Sequence, residues 1–262
     1  MQISLDMLVN SVEFFLLIFV RMTGLFVTAP IFGRRNIPTY FKVGFAFTVS
    51  LLMANIIKVD HLLVVDNFLI YAMYIMKEFI VGIVIGFVAY VVFTCIYIAG
   101  QIIDMQMGFG MVNVMDPMSN IQVPVTANLY YMAAMLVFLI TNGHHLLLKA
   151  LFHSYTIIPL GTAVIGPELG DNIGYLFQNI LGIGFRIAAP VVAAVIICDI
   201  VLGIVSKTIP QMNVFLLGMP IKIFIGLILL LTTIPSFAYI VSQLTDTMNT
   251  DIYKFLKDMV GS

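Results

Sequence analysis

The sequence predicts an all-α membrane protein built from long, kinked helical hairpins. Three observations lead there. Apolar residues make up 61% of the 262 positions and charged residues 10%, where soluble domains run near ~45–50% and ~25%. The apolar residues form continuous runs, not the alternating pattern of a membrane β-barrel. Several of those runs approach or exceed the ~20 residues that a helix needs to cross ~30 Å of hydrocarbon. A mean hydropathy of +1.10 agrees.

Taken in order, residues 14–32 form the first candidate segment, interrupted only by Arg21. Residues 43–57 form a shorter one. The run 68–99 is too long for one untilted span and carries Lys77 and Glu78 near its start. Segments 125–141 and 146–159 flank Asn142, Gly143, His144 and His145, which read as a polar turn. Residues 174–206 hold Arg186, Pro190 and Asp199, and residues 214–242 hold Pro220, Lys222 and Pro235. Six or seven helical segments follow, several bent at proline. The opening MQISLDMLVNSVEFF has acidic residues and no early Lys or Arg, so it lacks the basic leading region of a cleavable signal, and the first segment is expected to remain. Arg34, Arg35 and Lys42 place the following loop in the cytoplasm, and Lys254 and Lys257 lean the C-terminal end the same way.

Several function classes find no support. A net charge of −1 offers no electrostatic case for nucleic acid, and no Gly-rich phosphate loop follows a strand pattern. Cys95 and Cys198 lie in apolar runs with no ligand set beside them and read as small buried hydrophobes. His144 and His153 are nine residues apart, on opposite sides of a helix, so no metal spacing emerges. No catalytic constellation is evident, and neither cofactor nor enzymatic activity is expected.

The charges inside apolar segments are more informative. Arg21, Glu78, Arg186, Asp199 and Lys222 would each cost about 2.5–3.5 kcal/mol in lipid. They face a hydrated path or a subunit interface, or they pair within the chain. Arg186 with Asp199 is one such pair, although thirteen residues is a poor same-face spacing. Gly82 and Gly86 form GIVIG, a GxxxG pattern that permits close helix approach within the chain or between chains.

The stretch 100–124, GQIIDMQMGFGMVNVMDPMSNIQVP, stands apart. It holds Met105, Met107, Met111, Met115 and Met118, with Asp104, Asp116, three Gly and two Pro, and no Lys or Arg. Thioether side chains repack readily and glycines bend the backbone. The segment reads either as a deformable seal or as an ordinary connection with Met as filler.

These residues together resemble a family. Arg21, Gly24, Pro30, Phe32 and Ile37-Pro38, then Glu78, Gly82 and Gly86, then AGQIIDMQMGFGMVNVMDP, then His145, Ser154, Pro159 and Gly161, and finally RIAAP and PQMNVFLLGMPIK, resemble the FliR family of flagellar biosynthetic proteins. That family includes the T subunit of type III secretion export gates. The resemblance covers essentially the whole chain. It implies a non-enzymatic subunit of an export gate in the bacterial inner (cytoplasmic) membrane, at the flagellar basal body. FliP-like and FliQ-like subunits would assemble with it, FlhB and FlhA would lie nearby, and unfolded flagellar polypeptides would cross its channel. It also implies a FliP-like part over 1–173 that includes a Met-rich loop over 104–118, a FliQ-like hairpin over 174–242 turning near 207–210, and a polar tail over 243–262. Met105, Met107, Gly108, Phe109, Gly110, Met111, Met115, Asp116 and Pro117 would form the channel plug. A small-molecule or ion transporter with broken helices and midplane charges is the alternative. An internal inverted repeat would favour it, and none is visible.

Overall fold

The computed structural model describes residues 5–34, 36–57, 68–109, 124–209, 211 and 213–260. Among them are seven α-helices and no strand: α1 (Leu5–Thr28), α2 (Thr39–Ile56), α3 (Phe68–Met107), α4 (Val125–Ile140), α5 (Gly143–Ile157), α6 (Pro167–Thr208) and α7 (Val214–Asp258). Five of them, α1, α2, α3, α6 and α7, are long and apolar enough to cross a membrane. The pair α4 and α5 adds a sixth candidate, a broken or re-entrant span bent by 67°. The bend sits at Asn142, whose φ of 58° is left-handed, a conformation that Asn tolerates better than most residues. The Thr141 hydroxyl donates back to the Val137 carbonyl at 2.9 Å and closes the preceding helix.

The long helices exceed the sequence expectation at their ends. Helix α3 has 40 residues, α6 has 42 and α7 has 45. At 1.5 Å per residue each is about 60 Å or longer, roughly twice the hydrocarbon thickness. Helix α3 continues through Asp104, Met105 and Met107, which the sequence had suggested as loop. It stops at Gly108, whose φ of 90° places it in the left-handed region where helices commonly end. Residues 243–262 are likewise not a wholly polar tail, for α7 extends to Asp258. Leu244, Met248, Ile252, Phe255, Leu256 and Met259 are buried at helical spacing, and the polar residues lie between them.

The chain forms two compact units that interleave along the sequence. One comprises Met1–Val92, Asn142–Leu176 and Thr245–Ser262; the other comprises Phe93–Thr141 and Phe177–Leu244. In the first unit, Leu17, Ile18, Met22 and Leu25 of α1 are buried, as are Val81, Ile85 and Val88 of α3 and Leu147, Ala150 and Leu151 of α5. Phenylalanines join α1 to α2: Phe15 meets Phe47 at 5.2 Å between ring centroids, and Phe26 meets Phe45 at 5.4 Å. In the second unit, Phe93 packs edge-on against Phe138 at 4.8 Å. Tyr130 tilts against Phe237 at 4.8 Å while its hydroxyl pairs with that of Thr233 at 3.2 Å. In lipid such packing is stabilised by van der Waals contact and hydrogen bonds, since lipid tails are as apolar as leucine.

Candidate functional site

Within the first unit, two charges predicted from the sequence meet. Arg21 of α1 and Glu78 of α3 are both 0% exposed, and Arg21 Nε donates to Glu78 Oε2 at 2.6 Å. The rest of the guanidinium fork is used as well. Nη1 donates to Ser154 Oγ at 3.0 Å, and Nη2 donates to the Ile158 carbonyl at 3.1 Å. The Tyr155 ring lies 4.3 Å from the guanidinium carbon. The other carboxylate oxygen, Glu78 Oε1, accepts from the Gly161 N–H at 2.8 Å. Arginine suits this place because its planar group offers five donors in a fixed fork, which a lysine does not. A buried pair is tolerated only when its remaining polar atoms are satisfied, and here each guanidinium nitrogen and each carboxylate oxygen has a partner.

Glycines bring the two helices close enough for this. A Cβ on Gly82 would collide with the Arg21 carbonyl, and one on Gly24 would stand 2.6 Å from the Phe79 carbonyl oxygen. A Cβ on Gly86 would collide with the Thr28 hydroxyl, which donates to Gly24 O at 3.1 Å and to Ile83 O at 3.3 Å. The GIVIG pattern therefore packs α3 against α1. On the far side, Gly161 adopts a φ of 78° and receives Lys77 Nζ on its carbonyl at 3.3 Å. That conformation aims the Gly161 N–H at Glu78 and would strain any larger residue.

Within the second unit, the end of α3 holds the start of the Met-rich stretch. Asp104 is buried, and its carboxylate accepts from the Thr126 N–H at 3.0 Å and from the Ala127 N–H at 3.3 Å. The first turn of α4 offers those N–H groups because nothing earlier in the helix can receive them. Asp104 thus caps a helix 22 residues further along the chain. Gly100 lets α3 approach the same point: its Cβ would stand 2.6 Å from the Ala127 nitrogen. Met107 is fully buried, and a Cβ on Gly226 of α7 would meet its sulfur at 2.6 Å. Met105 is 78% exposed. A Cβ on Gly108 would stand 3.6 Å from the Met219 side chain, and Phe109 is half-buried. Gly110, Met111, Met115, Asp116 and Pro117, like Met118, lie outside the described residues.

The remaining charges divide. Lys222 of α7 forms an ion pair with Asp199 of α6, their side chains 24% and 40% exposed. Asp199 is therefore not the partner of Arg186, the pairing considered from the sequence. Arg186 is exposed. Among the described residues no group of three His, Cys, Asp or Glu side chains is placed to hold a metal, and Cys95 and Cys198 are free and buried. Sequence reasoning named Ser154 and Gly161 without a role and missed Tyr155, Ile158, Thr126 and Gly226. A serine and a tyrosine side by side in an apolar helix were the available signal for the first pair of partners. A backbone carbonyl, a backbone N–H or a glycine opposite a methionine leaves none.

Comparison with known proteins agrees along the length of the chain. Residues 12–248 match the bacterial export proteins, family 1. The flagellar biosynthetic protein FliR of Bacillus subtilis (strain 168) is 36% identical over 252 residues, 94% of this chain and 95% of the relative. The protein of the same name from Escherichia coli (strain K12) is 26% identical over 249 residues, 92% and 90% of the two chains. The Yop proteins translocation protein T of Yersinia pestis is 29% identical over 228 residues, 86% and 87%. The chain is a multi-pass membrane protein that belongs to family 1 of the bacterial export proteins.

Proposed function

We propose that this export protein is a non-enzymatic subunit of a flagellar type III protein export gate. In this reading it forms part of the channel that unfolded flagellar polypeptides cross, in the inner membrane beside FliP-like and FliQ-like subunits, with FlhB and FlhA nearby. One observation carries it: similarity over most of the chain both to flagellar biosynthetic proteins FliR and to a Yop proteins translocation protein. The family's name speaks of export and the second relative's of protein translocation.

In this reading the Met-rich stretch is the plug. Two features of the described residues support it. Met107 is anchored against Gly226, so the stretch leaves α3 from a fixed point. Asp104 ties the start of α4 to the end of α3, so the stretch also returns to a fixed point. A segment held at both feet can deform between them without losing its place. Methionine rotamers adapt to neighbours of many shapes, so the plug would seal around different substrates.

Two measurements test the reading. Affinity purification of the tagged chain from its own membranes is expected to recover it in a discrete complex with other export subunits; a functional monomer would refute it. Deletion of residues 108–115 is expected to leave that complex assembled but permeable to small ions. A deleted gate that assembles and stays as tight as the intact one would remove the plug from the proposal.

A further inference from the structure

We infer that the Arg186 face of α6 docks a membrane helix of another subunit that presents a carboxylate to Arg186. The inference rests on the functional reading above and adds the chemistry of the partner.

Arg186 lies near the middle of the 42-residue helix α6, in an apolar stretch, and its side chain is exposed. Among the described residues it makes no ion pair. Among the described residues of its own unit both carboxylates are already engaged: Asp104 caps α4, and Asp199 pairs with Lys222. Asp199 is also thirteen residues away, about 20 Å along the helix axis. A second group at the same level loses its usual donor. Pro190 has no N–H, so the Arg186 carbonyl lacks the donor that residue i+4 normally supplies. In hydrocarbon such a freed carbonyl is satisfied by a neighbouring helix or side chain.

Two positions on the Arg186 face are small, between larger exposed side chains such as Phe185 and Ile197. A Cβ at Gly182 would meet nothing within 4 Å, and Ala193, seven residues beyond Arg186 on the same face, is exposed. Small residues allow a second helix to approach closely. A lipid headgroup is the other chemistry that receives an arginine, whose side chain extends toward phosphates. It would use neither the small positions nor the free carbonyl. The pattern fits a protein helix carrying an Asp or Glu for the guanidinium and a Ser, Thr, Asn or Lys about one turn away for the carbonyl.

The test uses the tagged full-length chain in its own membranes. Arg186→Glu is expected to lower recovery of the co-purified export subunits by about tenfold or more, the scale of a broken interfacial charge pair, with the chain still present in the membrane. Gly182→Leu leaves every charge in place and is expected to have the same effect by obstructing approach. A photo-crosslinking residue at Ala193 is expected to capture one of those subunits through an acid-bearing membrane helix, while one at Leu181, turned about 140° away, is not. Changing that acid to Lys should restore recovery with Arg186→Glu. Recovery within about twofold of wild type for both Arg186→Glu and Gly182→Leu, or crosslinks from Ala193 to lipid alone, would overturn the inference and leave the functional reading standing. Failure of the unaltered chain to recover any export subunit would overturn both.

Discussion

Replacing Arg21 by leucine is expected to destabilise the first unit severely. Among the described residues, the change leaves Glu78, 0% exposed, with its charge met only by the Gly161 N–H. It also frees Ser154 Oγ and the Ile158 carbonyl and removes the cation beneath the Tyr155 ring. Breaking a buried pair by removing one partner costs about 3–5 kcal/mol. For chains of this size a kilocalorie corresponds to about 2–4 °C of Tm, so the expected drop is roughly 6–20 °C. Ala150, buried on α5, can be changed to cysteine as a reporter, with Cys95 and Cys198 of the second unit as internal references. Alkylation of each thiol, followed by mass spectrometry as temperature rises, then reads the two units separately. The Ala150→Cys thiol should open earlier in the Arg21→Leu chain. The double change Arg21→Leu with Glu78→Leu should recover part of the loss, because no uncompensated charge remains. Full recovery is not expected, since the Gly161 N–H and Ile158 carbonyl stay unpaired. A reporter that opens within about 2 °C of its normal temperature in the single variant would refute the reasoning.

Three further outcomes are expected. Gly82→Ala should destabilise the same unit, because its Cβ meets the Arg21 backbone, whereas Gly44→Ala, with nothing within 4 Å, should be neutral or stabilise α2 by about 0.5–1 kcal/mol; the same alkylation experiment separates them. Asp104→Ala removes the acceptor for two N–H groups of α4 and should cost about 0.5–2 kcal/mol, as lost helix caps do, with Asp104→Asn milder when both are read at Cys95. Lys222→Leu leaves Asp199 without its cation in a largely apolar helix; its effect on membrane accumulation should be relieved by adding Asp199→Leu, and no relief would argue that the pair is incidental.

Much of the architecture was legible because lipid imposes a length scale. A run of apolar residues measured against ~30 Å of hydrocarbon marks a helix with little ambiguity, and the polar turn at Asn142 interrupts the pattern where α4 meets α5. Helix ends were less legible. Asp104 and the methionines beside it read as loop because glycines, prolines and two carboxylates interrupt the apolar run there. The carboxylate is instead absorbed by two backbone N–H groups of a distant helix, a partner with no side-chain signature. The end of α7 misled in the opposite way. Asp246, Asp251, Lys254, Lys257 and Asp258 give 243–262 a polar composition, and only the spacing of Met248, Ile252, Phe255 and Leu256 discloses a buried face.

The charges show why position in three dimensions changes an argument that composition begins. Five costly groups in apolar segments suggest, from sequence, a chain that needs partners to satisfy them. Four of the five satisfy one another, Arg21 with Glu78 and Lys222 with Asp199. These pairs join α1 to α3 and α6 to α7, so their first consequence is a folded chain. The case for assembly from charge then concentrates on Arg186, where an exposed guanidinium and a carbonyl without its helix donor share one face. A protein whose buried charges close internally can insert and fold before it assembles. One exposed cation flanked by Gly182 and Ala193 then acts as a selective contact, because an apolar neighbour without a carboxylate leaves that charge unmet.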